Sequence, residues 1–129
     1  MKRQTYILLA VLVLLVLSLV GCRPPALDDP ETDADKVVEV TANNYSFSPN
    51  VIVVETGQKV RIELISIQGT HDWVVDEFDA ATPIVAAGAK NSVEFVADQS
   101  GEFEFYCSVA NHRELGMAGT LIVEDLVIP

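Results

Sequence analysis

The sequence predicts an all-β fold, a β-sandwich or barrel, for the part of the chain after residue 36. Apolar and polar side chains alternate over short runs, most clearly where Val60, Ile62 and Leu64 alternate with Arg61 and Glu63. Alternation with a period of two is the pattern of a half-buried strand. Segments that favour turns separate these runs, and no segment has a convincing helical period.

The other strands follow from the same alternation, taken in chain order. They are predicted near residues 38–42, 92–95, 102–107 and 121–123, and turn signals lie at 48–50, 56–58, 68–69 and 99–101. In the run that ends at Cys107, the cysteine shares a strand face with Phe103 and Phe105. Because this apolar face points into the core, Cys107 is expected to be buried at the end of its strand.

The N-terminal residues predict an exported protein. Lys2 and Arg3 precede an apolar run at residues 6–20, which is shorter than the roughly 20 residues needed to span a bilayer. A basic start followed by a short apolar run is typical of a signal peptide, here predicted at residues 1–21.

The end of this run, Leu19-Val20-Gly21-Cys22, resembles the lipobox of bacterial lipoproteins. The resemblance implies cleavage before Cys22 and a lipid on its side chain. The protein would then be anchored to the outer face of the cell membrane or in the periplasm. A secreted protein with a chance cysteine at this position is the alternative. Residues 22–36, rich in proline and acidic side chains, predict a disordered tether that leads to one domain at residues 37–129.

The charge of the chain limits its partners. The full sequence carries a net charge of −11, and removal of Lys2 and Arg3 with the signal would leave 6 basic and 19 acidic side chains, a net charge of −13. An acidic chain lacks the basic surface that displaces counterions from nucleic acid, so nucleic acid is not an expected partner. A basic partner is favoured over an acidic one.

The two cysteines of the chain are Cys22 and Cys107. If Cys22 carries a lipid, Cys107 has no cysteine partner in an oxidising compartment, where a free thiol is a liability. A bound metal ion would occupy the thiol and remove that liability.

The residues around Cys107 form a pattern typical of a copper site. The spacing is Cys107-x4-His112-x4-Met117, and His71 lies upstream. Two imidazoles, a thiolate and a thioether are the ligands of a trigonal copper site with a weak axial sulfur. Singly, each residue could instead be a buried structural thiol, a core methionine or an ordinary histidine. Together they include both histidines of the chain and its one methionine besides Met1.

Residues 37–127 resemble the cupredoxin family of type 1 blue copper proteins. The resemblance lies in Asn44-Tyr-Ser-Phe-Ser-Pro49, in His71-Asp-Trp-Val-Val75 and in the ligand loop that follows Tyr106. The loop spacing is similar to that of auracyanins and rusticyanin, and longer between cysteine and histidine than in plastocyanin. The resemblance implies a Greek-key β-sandwich and one-electron transfer by a single copper ion.

The resemblance also implies a role for each ligand. His71 and His112 would bind copper through imidazole, Cys107 through thiolate and Met117 axially. We therefore expect a monomeric electron carrier rather than an enzyme. The carrier would exchange electrons with a redox protein donor and acceptor.

Asp72 departs from the commonest cupredoxin pattern, in which an asparagine follows the first histidine and ties the two ligand loops together. Asp72 can accept hydrogen bonds, for instance from the hydroxyl or backbone amide of Ser108, but an ionised carboxylate cannot donate them. Strand alternation predicts that Asp72 points away from the face of His71. A solvated acid with no role at the site is the alternative.

The loop that carries His112 predicts the docking surface. Ala110, Leu115 and Gly116 are small or apolar, and in the family the loop histidine reaches the surface through such a patch. Partners are expected to dock there, with Tyr106 as the alternative contact.

Other functions fit the sequence less well. A copper nitrite reductase needs a second copper with further histidines, and a binuclear purple-copper site needs two cysteines in the loop. A metal-free adhesive sandwich leaves the ligand loop unexplained. A copper chaperone or storage lipoprotein stays open as the alternative, although such proteins tend to use several exposed methionines and histidines.

Overall fold

The computed structural model describes residues 33–127. The predicted signal peptide, the lipidation site Cys22 and most of the predicted tether lie outside these residues. Within the described part of the chain, no helix is long and apolar enough to cross a membrane.

The described residues fold into strands joined by short loops. The strands are β1 (Lys36–Asn43), β2 (Ser46–Ser48), β3 (Val51–Glu55), β4 (Lys59–Ser66), β5 (Thr70–His71), β6 (Val74–Val75), β7 (Ala80–Ala81), β8 (Val85–Ala86), β9 (Lys90–Val96), β10 (Gly101–Tyr106) and β11 (Ala118–Glu124). A 3-10 turn, Asp76–Phe78, follows β6.

Two sheets contain most of these strands. The first sheet has the order β2-β1-β4-β9, and the second has the order β3-β11-β10-β6-β7. Strands β1 and β4 pair in parallel, as do β11 and β3, whereas the other neighbours within these two sheets are antiparallel. A short antiparallel ribbon joins β5 to β8. The predicted all-β sandwich is therefore confirmed.

The core lies between the inward faces of the two sheets. In β4, Val60, Ile62 and Leu64 are fully buried while their neighbours are half-buried, so the predicted alternation is present. The second sheet contributes Trp73 and Phe105, whose rings pack 5.4 Å apart between centroids. Burying each such aliphatic or aromatic side chain stabilises the fold by roughly 1.5–3 kcal/mol.

The folded domain starts slightly earlier than the sequence predicts. Strand β1 begins at Lys36, whereas the tether was expected to extend through that residue. The backbone amide of Asp35 donates to the Lys59 carbonyl at 2.8 Å, and the Lys59 amide donates to the Asp35 carboxylate at 2.8 Å. The Asp33 carboxylate pairs with the Lys59 ammonium group. These contacts with the start of β4 attach residues 33–36 to the first sheet.

Candidate metal centre

The candidate ligands come together at the end of the sandwich where β10 ends and β11 begins. His71 is the last residue of β5, and Cys107 directly follows β10. A loop of successive turns then carries His112, and Met117 directly precedes β11. Strand β5 ends at the site and pairs with β8, which is also only two residues long.

Three potential ligand atoms converge, from His71, Cys107 and His112. Cys107 Sγ lies 3.7 Å from His71 Nδ1 and 3.5 Å from His112 Nδ1, and all three atoms lie within 4.8 Å of one another. A first-row metal ion about 2.0 Å from nitrogen and about 2.3 Å from sulfur, with roughly trigonal to tetrahedral angles, sets such atoms about 3.5 to 3.7 Å apart. The observed spacing therefore fits one metal ion.

Met117 belongs to the same cluster through its backbone. Its amide donates to the His112 carbonyl at 2.9 Å, and its carbonyl accepts from the Cys107 amide at 3.1 Å. The side chain is fully buried. Together with two imidazoles and a thiol, a methionine thioether would make up the donor set of a trigonal copper site with a weak axial sulfur.

His71 is held rigidly by its other ring nitrogen. Nε2 lies 2.7 Å from the Gln68 carbonyl oxygen, which can only accept, so Nε2 carries the proton and Nδ1 presents its lone pair to the cluster. The Ser66 hydroxyl donates to the Gly69 carbonyl at 2.9 Å and closes this turn. Burial lowers the pKa of His71, and the neutral imidazole that results is the form that binds metals.

Cys107 is fully buried, as the strand alternation predicts. Burial raises the pKa of its thiol, so the metal-free protein holds this group protonated near neutral pH. A metal ion that binds the thiolate must therefore release the proton.

His112 has a different environment from His71. It is half-buried, and its ring meets the edge of the Tyr45 ring, with 4.9 Å between centroids and 65° between planes. Tyr45 lies in the turn between β1 and β2 and is itself exposed. Backbone hydrogen bonds within the loop hold His112, including one from its amide to the Val109 carbonyl at 3.0 Å.

Asp72 lies closer to the site than strand alternation predicts. The strand breaks after His71, and Asp72 turns inward until only 5% of it is exposed. After the break, the Trp73 amide donates to the Thr82 hydroxyl at 3.0 Å. The alternative that Asp72 is a solvated acid is therefore wrong.

The inward turn of Asp72 joins the two ligand segments. One carboxylate oxygen accepts from the Ser108 amide at 2.7 Å, and the other accepts from the Ser108 hydroxyl. Both groups of Ser108 named from the sequence therefore bind Asp72. The contact fixes the residue after His71 to the residue after Cys107.

The residues expected at the docking surface lie on the outside of the loop. Ala110 and Gly116 are exposed, and Leu115 is 50% exposed. Tyr106 is instead half-buried, and its hydroxyl donates to Asp76 at 2.9 Å.

Sequence reasoning missed several residues that shape the site. The Gln68 carbonyl leaves no sequence signal because any residue supplies one. Gly69 has a positive φ of 87°, and a methyl group there would meet the Asn44 side chain and lie 2.9 Å from His71 Nε2. The turn signal at residues 68–69 indicated the bend but not this close approach to the imidazole.

Comparisons with known proteins agree with this geometry. A family model described as a cupredoxin-like domain matches residues 8–123. No curated protein matches the chain significantly.

Solved structures of auracyanins share the fold. Auracyanin B aligns with a TM-score of 0.64 at 21% identity over 71% of this chain and 91% of that chain. Auracyanin A, described as a "blue" copper protein from the green thermophilic photosynthetic bacterium Chloroflexus aurantiacus, aligns with a TM-score of 0.61 at 19% identity over 68% and 98%. Dithionite-reduced auracyanin from the photosynthetic bacterium Roseiflexus castenholzii aligns with a TM-score of 0.60 at 20% identity over 68% and 95%. With a family model that matches most of its length and a sandwich that ends in a histidine–cysteine–histidine cluster, the chain belongs to the cupredoxin family.

Proposed function

We propose that this protein carries single electrons by means of one type 1 copper ion held by His71, Cys107, His112 and Met117. The observation that carries the proposal is the convergence of His71 Nδ1, Cys107 Sγ and His112 Nδ1 to within 4.8 Å of one another at the end of the sandwich. The bound ion would supply the chemistry, a cycle between Cu(I) and Cu(II).

The role of the protein is to hold the ligands still while the charge changes. The Gln68 carbonyl orients His71, and Asp72 fastens Ser108 beside Cys107. Such hydrogen bonds around the ligands fix their orientation. The separations of the two imidazole nitrogens and the thiol sulfur already suit one metal ion, which supports a site that needs little rearrangement when an electron enters or leaves.

Burial of the ligands favours a carrier over a copper chaperone or storage protein. His71, Cys107 and Met117 are all fully buried. A protein that hands its metal to another protein needs ligands that the acceptor can reach. Here the half-buried His112 is the exposed member of the set, which suits the passage of electrons rather than of the ion.

We propose that redox partners, a donor and an acceptor, dock on the surface around His112. The loop that carries His112 exposes three small or apolar residues, Ala110, Leu115 and Gly116. Tyr45 adds an exposed aromatic ring in contact with the His112 imidazole. An apolar contact of this kind brings a partner close to the exposed ligand. The acidic composition favours a partner with basic residues around its own docking surface.

We also propose export and anchoring through a lipid on Cys22, with the copper domain on the outer face of the membrane or in the periplasm. Support comes from the sequence Leu19-Val20-Gly21-Cys22 and from the basic, apolar segment before it. Replacing Cys22 by serine should release a correctly cleaved protein from the membrane fraction. Retention of the cleaved variant would contradict the lipid anchor.

The copper site is tested by colour. The full-length protein with Cu(II) should absorb visible light strongly, because a thiolate bound to Cu(II) gives an intense charge-transfer band. Cys107→Ser should lose the band and keep the fold, while Cys22→Ser should keep both. A Cys107→Ser protein that retains the band would refute the site.

Electron transfer is tested separately from copper binding. The coloured protein should be bleached by one equivalent of reductant and recover fully on reoxidation without losing its copper. Rapid transfer of copper to a metal-free acceptor, with no reversible cycle, would instead support the chaperone alternative.

A further inference from the structure

The outer face of the second sheet carries a cluster of polar contacts beside the candidate metal centre. The Arg113 guanidinium group forms two hydrogen bonds to the Glu104 carboxylate, from Nε at 3.2 Å and from Nη2 at 2.5 Å. The same guanidinium carbon lies 3.8 Å from the centroid of the Tyr106 ring. The Tyr106 hydroxyl donates to Asp76 at 2.9 Å.

The contacts of Arg113 connect the loop that carries His112 to the strand that leads to Cys107. Arg113 directly follows His112, and Tyr106 directly precedes Cys107. Glu104 projects from β10 on the same face as Tyr106, two residues earlier. The arginine therefore reaches from the ligand loop back to the strand that delivers the cysteine.

The loop around His112 is bonded mainly to itself. The Leu115 amide donates to the Asn111 carbonyl at 3.1 Å, and the Gly116 amide donates to the Arg113 carbonyl at 3.0 Å. These bonds give the loop a fixed internal shape but do not attach its outer part to the sheet. The Arg113 side chain supplies such an attachment.

We propose that Arg113 is a positioning residue, which clamps the ligand loop onto Glu104 and Tyr106 and so holds His112 at a fixed distance from Cys107. The inference rests on the proposed function for its importance to copper, but the clamp itself is a property of the metal-free chain. A single exposed ion pair contributes little, and the Arg113 and Glu104 side chains are 47% and 45% exposed. The planar guanidinium group combines a two-point ion pair with stacking on an aromatic ring. The combination makes the contact stronger and more specific in its orientation than an ion pair alone.

The test compares two variants that break the clamp with opposite changes of charge. Arg113→Gln removes a positive charge near the site, and Glu104→Gln removes a negative one. A simple electrostatic effect on the site would have opposite signs in the two variants. Loss of the clamp would have the same sign in both.

The first measurement is amide hydrogen exchange of Leu115, Gly116 and Met117 in the full-length, metal-free protein. Both variants should raise these exchange rates. Arg113→Gln loses the ion pair and the cation–π contact and should raise them about fivefold, whereas Glu104→Gln loses only the ion pair and should raise them less. The second measurement is the rate at which a copper chelator bleaches the loaded protein, which should rise in both variants and in the same order. The double variant should resemble Arg113→Gln, because that change already removes every contact of the clamp.

Two further variants complete the test. Arg61→Gln removes the same type of side chain from β4 in the other sheet, where Arg61 pairs with Glu63 and Glu94, and should leave loop exchange unchanged. Arg113→Lys keeps the charge but loses the planar two-point contact, so it should give an intermediate rate. Unchanged loop exchange in Arg113→Gln and Glu104→Gln, or changes of opposite sign, would overturn the proposal. A protein that binds no copper would refute the proposed function, and the metal-free exchange rates would still decide about the clamp.

Discussion

The two histidines of the site have contrasting surroundings. His71 is fully buried at the end of a strand, with one ring nitrogen bound to the Gln68 carbonyl. His112 is half-buried in a loop, and its ring meets the edge of exposed Tyr45. The difference indicates that one histidine is fixed by the fold, whereas the other connects the candidate site to the surface.

The largest test of this contrast removes each imidazole in turn. His71→Gly leaves a sealed cavity and should lower the free energy of unfolding of the metal-free protein by about 3 kcal/mol. His112→Gly should cost about 1 kcal/mol or less, because its ring is partly solvated already. Added imidazole should restore the copper colour of His112→Gly much more readily than that of His71→Gly. Chemical denaturation and visible titration measure these effects, and equal responses of the two variants would contradict the contrast.

A smaller change, Gly69→Ala, perturbs the surroundings of His71. Gly69→Ala places a methyl group against His71 Nε2 and the Asn44 side chain at a positive φ. We expect a loss of about 2–3 kcal/mol of stability from overpacking and strain, and a shifted copper spectrum. Gly88→Ala is the matched control, since Gly88 has a φ of 81° with nothing within 4 Å of the added methyl group. It should cost only about 1 kcal/mol and leave the spectrum alone. Equal losses would mean that backbone strain, not contact with His71, decides the outcome.

The pH dependence of the stability of the metal-free protein depends on the buried residues His71 and Cys107. Because burial lowers the pKa of His71, the unfolded chain binds this proton more readily than the folded one below pH 6.5. Stability should therefore fall as the pH drops through that value, by up to about 1.4 kcal/mol per pH unit from this group. Burial raises the pKa of Cys107, so stability should also fall as the pH rises above 9.0. Urea unfolding across this range measures both slopes.

Single substitutions identify the source of each slope. His71→Gln should flatten the acid side, and Cys107→Ala should flatten the alkaline side. If both slopes persist in these variants, other groups are responsible for them.

The smallest effect on stability should come from a substitution in the exposed loop that carries His112. Leu115→Glu adds a charge to a half-exposed position and should change stability by less than about 0.5 kcal/mol, with the spectrum nearly unchanged. It should slow electron exchange with redox partners severalfold, because a charge at an apolar docking surface must be desolvated. Stopped-flow measurements give this rate. An unaltered rate would move the docking surface away from Leu115.

The sandwich and the grouping of His71, Cys107 and His112 could be predicted from sequence patterns. Alternation along β4 places Val60, Ile62 and Leu64 in the core, and the same rule buries Cys107. The surroundings of the ligands could not be predicted in the same way. Alternation fails at Asp72, where the Trp73 amide bonds to Thr82, nine residues later, instead of continuing a strand.

The clamp of Arg113 escaped prediction for a similar reason. Arg113 and Glu104 are nine residues apart, on a loop and a strand, and neither residue has a local preference for the other. Their contact exists because the loop turns back over the face of β10 that carries Tyr106. Contacts of this type depend on the path of the loop, which a pattern of residue types does not specify.

The length of β1 separates the start of the described domain from the candidate copper site. The strand enters the fold at Lys36 and runs eight residues, about 26 Å, to the turn whose Tyr45 touches His112. The start of the described domain and the candidate copper site therefore lie at opposite ends of the same strand. A molecule in contact with the loops around Tyr45 and His112 is thus separated from Lys36 by the full length of β1.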